Sequence, residues 1–426
     1  MASWTDYLLG PAIVLAVLAI STLSLLQNTV RLEPDLSLVL AVLDARVLVA
    51  VAAALLAAAF LLYLSYLRGE DPAALVGGGR PVEAIVPVHR DAGVMHRSVE
   101  ALVGSAYDDL AVTVVCEPDD EASIERAREL SEAHDGVAYL VNDGDHAGSK
   151  AGALNAAIER SDAAVVALFD ADQEPHPKLV PHAMAALEEH DVARVRSLPR
   201  PTGGTLESVV YYEYLALFFL PQKVARALLG FNFAGTRSIL LEASVFDEVG
   251  TFNEDTLTED LDFTHRAHQA GLATRELLYY PTMEEPAHTL RDWWGQRVRW
   301  MRGQVAVSQD HLRGWRSLLD RRVLGSLVTA LGTFVAGTLM AMLLPKLALG
   351  FVSSPLVVGG GLGMIFATLL ATRVVDTQTA PIEGVGLAWV LLPVAVSAYG
   401  LVILQVVFQH ALGRDGDWYS VDKVEG

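Results

Sequence analysis

Cysteine is almost absent from this chain of 426 residues, in which Cys116 is the only one. A single cysteine excludes an internal disulfide and any zinc site assembled from several cysteines. The 12 histidines do not fall in the spacing that zinc proteases use. The sequence therefore excludes disulfide-stabilised folds and contains no zinc-binding motif.

Basic residues are also scarce, since 31 lysines and arginines accompany 51 aspartates and glutamates and the formal net charge is −20. A nucleic acid needs a basic surface to meet its phosphates, so we exclude a nucleic-acid partner. An acidic, lysine-poor surface is typical of halophiles, because high charge keeps a protein soluble in concentrated salt. We therefore predict a halophilic archaeon as the source. The lysines are Lys150, Lys178, Lys223, Lys346 and Lys423.

Apolar residues, by contrast, are abundant, at 52% hydrophobic residues and a mean hydropathy of +0.35. A helix that crosses a membrane core requires roughly 20 apolar residues. A secretory signal would begin with basic residues, but Asp6 stands there, so we predict that the first apolar stretch is a retained helix. Glycines at 359–363 leave open a broken or re-entrant segment. The predicted spans are residues 7–27, 47–67, 324–344, 355–370 and 386–412.

Arginines flank these spans on one side, with Arg68 and Arg80 after the second and four arginines at 313–322 before the third. The positive-inside rule places the stretch between the two spans in the cytoplasm. Three glycines at 77–79 mark the start of that stretch. The prediction is a multi-pass cell-membrane protein with two amino-terminal helices (residues 1–76), a cytoplasmic domain (77–320) and a carboxyl-terminal membrane region (321–426) of about three helices.

Short apolar strands alternate with helical patterns through the middle domain. This alternation predicts an α/β fold with a parallel sheet and helices on both faces. Ligands of such sheets bind beyond the carboxyl ends of the strands. Two predicted strands end in acids, in "CEPDD" after residue 115 and in "FDAD" at 169–172. Both acidic clusters are therefore expected at the ligand-binding edge.

Asp170 and Asp172 are one residue apart at the end of an apolar strand, and alternate residues of a strand point to the same face. Paired carboxylates cost energy unless a cation neutralises them, and oxygen ligands suit Mg²⁺ or Mn²⁺. The alternative is a solvated turn that is merely acidic. These two residues alone leave both interpretations open.

The order of five motifs favours the metal site. The stretches "CEPDD", "GSKAGALN", "FDAD", "TED" and "QRVRW" follow one another between membrane spans. Over residues 81–313 this order resembles the membrane-embedded family 2 glycosyltransferases, the group of the cellulose, hyaluronan and chitin synthases. The resemblance implies a GT-A domain, a Rossmann-like fold that binds nucleotide sugars, inserted between transmembrane helices. Amphipathic interfacial helices are predicted at 204–230 and 291–304.

The resemblance also implies which residues hold the nucleotide-sugar donor. Glu117 and Asp119 would contact the uracil or the ribose, although the usual wording of this motif is "DDGS". Lys150 would meet a phosphate or an acidic neighbour in the donor pocket, and an exposed lysine without a role is the alternative. Asp170 and Asp172 would be the DxD pair that binds Mg²⁺ or Mn²⁺ at the donor diphosphate.

The motif "QRVRW" has helical spacing that places Gln296, Arg299 and Trp300 on one face. By resemblance, Gln296 and Arg299 attend the diphosphate, because arginine can pair with phosphate through two hydrogen bonds. Trp300 would line the acceptor end, where an indole offers an apolar plane to a sugar ring. The alternative is an aromatic and basic helix that simply lies at the bilayer surface.

The stretch from Thr256 reads as a helix capped by Thr258 and ended by Gly271. Glu259 and Asp260 then lie in the first turn, where the helix dipole favours ionised carboxylates. By its match to "TED", Asp260 would be the general base that takes the acceptor proton, with Glu259 at the acceptor. The alternative is that both acids merely favour the helix start.

Acceptor contact is further expected, by looser resemblance, at Gly235, Thr236 and Arg237. The sequence as a whole implies an inverting enzyme that transfers a sugar, with a UDP-sugar as the favoured donor, to an acceptor at the bilayer with a β-linkage. The "QRVRW" motif favours a processive synthase that extends a polysaccharide. The alternatives are transfer of one sugar to a lipid such as a polyprenyl phosphate or a diacylglycerol, and a non-catalytic scaffold that binds nucleotide sugars. The oligomeric state stays open.

Overall fold

The computed structural model describes residues 44–200, 203–256, 258–313, 321–380, 382, 386 and 388–413. The first predicted span, residues 7–27, lies outside the described residues. Within them, a long apolar helix precedes a domain built on one sheet, and a group of apolar helices follows it. This arrangement confirms the predicted α/β, GT-A-like domain between apolar helices.

The central sheet has eight strands in the order β3-β2-β1-β4-β7-β6-β8-β5. Strands β1 to β4 pair in parallel, as predicted. The expectation of an all-parallel sheet is wrong beyond β4, because β7 runs antiparallel to both β4 and β6. The strands are β1 (Val82–Val88), β2 (Leu110–Cys116), β3 (Val137–Val141), β4 (Val165–Leu168), β5 (Glu174–Pro175), β6 (Val192–Pro199), β7 (Ile239–Glu242) and β8 (Thr274–Glu284).

Helices cover both faces of this sheet, which confirms the predicted layers. Alternate residues of β1 face opposite ways, so Ala84 packs among α2, α3 and α5 while Ile85 packs among α4, α8 and α9. The helices of the domain are α2 (Met95–Val103), α3 (Glu121–Ala133), α4 (Lys150–Ile158), α5 (Leu179–Ala186), α6 (Thr205–Glu213), α7 (Leu220–Leu229), α8 (Val245–Val249), α9 (Glu259–Ala270) and α10 (Leu290–Arg313). A π-helical segment, Tyr214–Phe219, joins α6 to α7.

Three described helices are long and apolar enough to cross a membrane. These are α1 (Ala45–Arg68), α13 (Pro355–Asp376) and the stretch Ala388–Ala411, a 3₁₀ turn (Ala388–Leu391) followed by α14 (Leu392–Ala411). They match the predictions at 47–67, 355–370 and 386–412. The prediction at 324–344 differs, because α11 (Arg321–Ala341) bends by 53° into α12 (Leu343–Ser353). The bent pair could serve as a fourth span.

The glycine-rich stretch at 359–363 does not break its helix, contrary to the alternative considered from sequence. It lies inside α13, which runs without interruption. A Cβ at Gly361 would come within 2.4 Å of Val49 Cγ1. The glycine therefore lets α13 and α1 approach closely, as small residues do between membrane helices.

A buried ion pair joins the sheet to the apolar helices. Arg196 on β6 donates to Asp376 at the end of α13 over 2.7 and 2.8 Å, and both side chains are 0% exposed. The hydroxyls of Tyr63 and Tyr211 also donate to this carboxylate, over 3.0 and 2.7 Å. Because every partner is buried, the carboxylate cannot exchange these bonds for water.

We expect Asp376→Asn to lower the free energy of unfolding by about 3–5 kcal/mol, because it leaves the Arg196 guanidinium buried without a countercharge. The measurement is denaturant unfolding of the detergent-solubilised protein, followed by tryptophan fluorescence. Glu129→Gln is the control, since its partner Arg126 is a solvent-exposed residue of the same helix. An Asp376→Asn midpoint equal to that of the control would contradict this account.

Candidate functional site

A cavity of about 1900 Å³ extends from the carboxyl edge of the sheet to the apolar helices. Its polar end is lined by residues of the predicted motifs, namely Glu117, Lys150, Asp170, Asp172, Asp260 and Arg299. Its other end is lined by apolar side chains of α1, α11, α13 and α14, among them Leu48, Leu55, Val328, Leu339, Ile365 and Val396. One continuous space therefore contacts both the motifs and the apolar helices.

The turn that carries Asp170 and Asp172 follows β4 and is fixed from behind by Gln173, which is fully buried. Gln173 Oε1 accepts hydrogen bonds from the backbone N–H of Asp170, over 3.0 Å, and from Ser238 Oγ, over 3.2 Å. Gln173 Nε2 donates to Ser197 Oγ over 3.4 Å. Gln173 thus ties the turn to β6 and β7, a role that the sequence pattern did not reveal although the residue adjoins the motif.

Lys150 lies among carboxylates at the start of α4. Its Nζ is 2.6 Å from Asp170 Oδ1 and 3.3 Å from Glu259 Oε1, and it donates to Thr236 Oγ1 over 3.1 Å. Burial alone would lower the pKa of Lys150, but the two carboxylates outweigh burial and hold that pKa above its ordinary value. The acidic neighbours expected from sequence are therefore present, and Lys150 is a fixed cation of the site.

The loop before Lys150 depends on Glu117. Glu117 Oε1 accepts from Asn142 Nδ2 over 2.9 Å, and Oε2 accepts from the backbone N–H of Gly148 over 2.6 Å. Gly148 has a φ of 102°, which favours glycine. Glu117 therefore shapes the loop in addition to lining the cavity. Asp119 lies at the rim of the cavity, with its side chain 66% exposed and 3.6 Å from His89.

Glu259 and Asp260 begin α9, and the structure separates their environments. Both line the cavity, but Glu259 is buried and accepts from Thr236 Oγ1 over 3.1 Å, whereas Asp260 is half-buried. Burial raises the pKa of Glu259, and the nearby ammonium of Lys150 opposes that shift. Asp260 Oδ1 accepts from the backbone N–H of Leu261 over 2.8 Å.

The predicted ends of this helix are only half correct. Thr258 is the N-cap residue, but its side chain accepts no capping hydrogen bond, and its backbone oxygen accepts the first bonds of the helix instead. Gly271 ends the helix in the left-handed conformation at a φ of 86°, as predicted.

The loop before β7 brings another cation to the acids. Arg237 Nη1 is 3.3 Å from Glu284 Oε2, and Arg237 Nε is 4.0 Å from Asp170 Oδ2. Gly235, with a φ of 72°, lines the cavity, and its N–H donates to Thr264 Oγ1 over 3.0 Å. Thr236 is buried, and its hydroxyl belongs to the network of Lys150 and Glu259. Arg237, expected from sequence at the acceptor, thus lies beside the acids Asp170 and Glu284.

Gln296, Arg299 and Trp300 lie on α10 and line the same cavity, as their spacing predicted. Burial lowers the pKa of Arg299, and Glu259 opposes that shift. Trp300 packs edge-on against Phe218 at a ring distance of 5.8 Å. Gln296 Oε1 accepts a hydrogen bond from Arg297. The structure thus brings four of the five motifs to the sheet edge, and "QRVRW" meets them there from α10.

The donor set at Asp170 and Asp172 fits a metal that arrives with a nucleotide. Among the described residues, no group of three or more His, Cys, Asp or Glu side chains could hold a metal ion by itself. Mg²⁺ is commonly held by one or two carboxylates together with substrate phosphates. Two carboxylates on a fixed turn that lines a cavity meet that requirement when a diphosphate supplies the remaining oxygens.

Comparison with known proteins gives a consistent family. A model described as "Glycosyltransferase like family 2" matches residues 80–303. The probable glycosyltransferase YdaM of Bacillus subtilis (strain 168) is 26% identical over 258 residues, which cover 57% of this chain and 60% of that protein. The beta-monoglucosyldiacylglycerol synthase of Trichormus variabilis is 27% identical over 198 residues, which cover 46% of this chain and 42% of that protein.

The chain therefore spans about half the length of these curated relatives. The glucomannan 4-beta-mannosyltransferase 1 of Oryza sativa subsp. japonica is 27% identical over 258 residues, which cover 57% of this chain and 49% of that protein. A solved structure of the mannosyltransferase PcManGT from Pyrobaculum calidifontis, in complex with GDP-Man and Mn²⁺, aligns with a TM-score of 0.48 and 18% identity. That alignment covers 84% of this chain and 99% of the other.

We expect Gln173→Leu to weaken Mn²⁺ binding, in the presence of a nucleoside diphosphate, by about 10- to 100-fold, because residues that orient metal ligands have effects of this size. The measurement is the free Mn²⁺ signal in electron paramagnetic resonance during a titration. Ser197→Ala is the matched control, since it removes only the 3.4 Å hydrogen bond on the far side of Gln173. Equal Mn²⁺ affinity in wild type and Gln173→Leu would contradict the role of Gln173.

Proposed function

The chain belongs to glycosyltransferase family 2, and from this premise we propose that it is an inverting enzyme that transfers a sugar from a nucleotide sugar to a lipid acceptor held in the membrane. One observation carries the proposal. The cavity that holds the motif acids continues between the apolar helices, so a polar donor and an apolar acceptor could meet in a single space.

We assign the donor to the polar end of the cavity. Asp170 and Asp172 would hold Mg²⁺ or Mn²⁺ at the donor diphosphate, and the ion, when bound, stabilises the charge of the leaving group. Arg299 and Gln296 would hold the diphosphate from α10. Lys150 would keep the Asp170 carboxylate in place and contribute positive charge beside the phosphates. A UDP-sugar is the favoured donor.

We assign proton removal to Asp260. The acceptor hydroxyl attacks the anomeric carbon, the bond from that carbon to the phosphate oxygen breaks, and Asp260 takes the hydroxyl proton. The nucleoside diphosphate leaves with the bonding electron pair, and a single displacement inverts the configuration to a β-linkage. Both acids line the cavity, but the carboxylate of Glu259 is buried and bound to Lys150 and Thr236, whereas that of Asp260 is half-buried, which supports the choice of Asp260 as the base.

A lipid acceptor is the class that the apolar end of the cavity supports. Side chains of α1, α11, α13 and α14 offer no charge there, and such a surface solvates an acyl or prenyl chain well. The relative from Trichormus variabilis is named a beta-monoglucosyldiacylglycerol synthase, and diacylglycerol is a lipid. Extension of a polysaccharide is the second candidate, because Trp300 lines the cavity where a sugar ring could stack. The size of the product after long incubation separates the two.

We also propose that the sheet domain faces the cytoplasm. Arg68 ends α1 directly before the domain, and Arg321 and Arg322 begin α11 directly after it, so the basic residues lie on the domain's side of the spans. The three candidate spans support membrane association by their length and composition.

We expect Asp260→Asn to lower kcat by at least about 10²-fold, because the amide cannot accept the acceptor proton, and to leave nucleotide binding in place. The assay is metal-dependent release of nucleoside diphosphate across a panel of uridine and guanosine sugars. Asp262→Asn is the matched control, since Asp262 lies on the same helix and pairs with Arg266.

Normal turnover in Asp260→Asn would refute the assignment of the base. If wild type bound the nucleotides but released no nucleoside diphosphate from any donor, the non-catalytic alternative would replace the proposal; failure to bind any nucleotide would refute both.

A second prediction concerns the acceptor. Gly332 on α11 lines the cavity and has open space where a Cβ would stand. We expect Gly332→Trp to raise KM for a lipid acceptor by at least about tenfold, since it obstructs the apolar end while costing little in helix stability. Gly363→Trp is the matched control, because Gly363 on α13 also has open space but does not line the cavity. An unchanged KM in Gly332→Trp would argue against the apolar end as the lipid site.

A further inference from the structure

A buried ion pair lies directly behind the motif "QRVRW". The side chains of Glu213, the last residue of α6, and of Arg297 on α10 are 0% and 3% exposed. Arg297 Nη2 donates to Glu213 Oε2 over 2.9 Å, and Arg297 Nε donates to Glu213 Oε1 over 3.2 Å. The same carboxylate accepts from Trp293 Nε1 over 2.7 Å. Glu213 therefore holds two successive turns of α10 through charge-assisted hydrogen bonds.

Arg297 extends this anchor to the motif side chains. Its Nη1 donates to Gln296 Oε1. The centre of its guanidinium lies 4.9 Å from the ring of Trp300 and 5.0 Å from the ring of Trp293, within reach of a cation–π interaction. One buried arginine thus contacts Gln296 and Trp300, two of the three motif side chains that line the cavity.

We propose that Glu213 and Arg297 are positioning residues, which set the rotation of α10 and so the placement of Gln296 and Trp300 in the cavity. The inference rests on the proposed function for its catalytic consequence. The motif Gln-x-x-Arg-Trp leaves the position of Arg297 open, so the family pattern assigns it no role. The contacts of α10 with α14 are apolar near the motif, apart from a hydrogen bond from Trp294 Nε1 to Gln405 Oε1 over 3.2 Å. Toward the end of α10, Arg302 Nη2 donates to Gln409 Oε1 over 3.3 Å and Gln309 contacts His410, but neither contact joins two oppositely charged side chains.

The physical reason lies in the difference between these two kinds of contact. Apolar contacts tolerate small rotations of a helix, because dispersion and burial depend only weakly on direction. A bidentate arginine–carboxylate pair is directional, and breaking it inside the protein leaves a buried charge. Since Glu213 lies on a different element from the motif, it fixes α10 relative to the wall of the cavity formed by the π-helical segment.

The competing explanation is that the Glu213–Arg297 pair only stabilises the fold. Asp376→Asn is the matched control, because this substitution breaks another fully buried arginine–carboxylate pair that lies away from the motif. For Glu213→Gln we expect kcat for nucleoside diphosphate release to fall about 100-fold per folded molecule, which is the effect of a displacement of about 1 Å in an active site. For Asp376→Asn we expect stability to fall while kcat per folded molecule stays unchanged. Size-exclusion chromatography and tryptophan fluorescence give the folded fraction.

Arg297→Lys tests whether charge alone is sufficient. A lysine keeps the positive charge but cannot donate twice to Glu213 while it also reaches Gln296 and lies against both indoles. We therefore expect Arg297→Lys to have a lower kcat than wild type. Wild-type turnover in Arg297→Lys would overturn the positioning role, since charge alone would then suffice.

A second readout does not need any substrate. Burial raises the pKa of the Cys116 thiol to about 12, so this cysteine is unreactive at neutral pH and Gln296→Cys introduces a single reactive thiol. The rate at which a polar maleimide alkylates this thiol depends on how accessible the side chain at position 296 is from the cavity. We expect that rate to change severalfold when Glu213→Gln is added and to stay the same when Asp376→Asn is added.

The two readouts separate the possible failures. Equal losses of kcat in Glu213→Gln and Asp376→Asn, or an alkylation rate that Glu213→Gln does not change, would overturn the positioning role. If wild type releases no nucleoside diphosphate but the alkylation rate still responds to Glu213→Gln alone, the proposed function fails while the structural role of the pair stands.

Discussion

The electrostatic balance around Lys150 is the constraint on which the rest of the site depends. Carboxylates from two different parts of the chain approach its ammonium, and like charges at this separation would repel strongly in a cavity with limited water. To deliver Lys150 there, α4 must begin at Lys150, with Ser149 as its N-cap and Gly148 in a conformation that favours glycine. Glu117 fixes that loop. A divalent cation at Asp170 would share a carboxylate that already has a cationic partner, so the site tolerates its acids with or without the ion.

Other buried ion pairs join separate elements of the protein, and one of them links the sheet to the apolar helices. Arg196 reaches from β6 to Asp376, and Arg297 reaches from α10 to Glu213. Buried pairs of this kind add little net stability compared with apolar contacts, but they are directional. A small rotation of α10 would move Gln296 and Trp300 relative to the acids of the cavity, and the Glu213–Arg297 pair opposes such a rotation. The Arg196–Asp376 pair lies away from the motif and acts on the packing of the sheet against α13. The arginine-rich composition suits this task, since a guanidinium can donate to both oxygens of a carboxylate.

The sequence predicted the parts of this protein whose signals are local. The apolar strand before Asp170, which ends at Leu168, the helical face of Gln296 and Trp300, and three candidate spans all follow from periodicity within one segment, and the structure confirms them. Signals that depend on long-range contacts were missed. Nothing local distinguishes Gln173, because its partners are distant in sequence, with Ser197 on β6 and Ser238 directly before β7. The antiparallel direction of β7 was missed for the same reason, since the alternation of strands and helices along the sequence does not reveal in which direction a strand runs in the sheet.

The contrast between Glu259 and Asp260 shows where the physical limit of such prediction lies. Both acids occupy the first turn of α9, so helix capping and the dipole treat them alike. Adjacent residues of a helix point about 100° apart, and here that turn buries the Glu259 side chain beside Lys150 while the Asp260 side chain stays half-buried at the cavity. Burial raises the pKa of Glu259. Under the proposed function the two neighbouring acids have separate tasks, with Glu259 as a partner of Lys150 and Asp260 as the proposed base, and the difference in burial follows from the packing of α9 against the sheet.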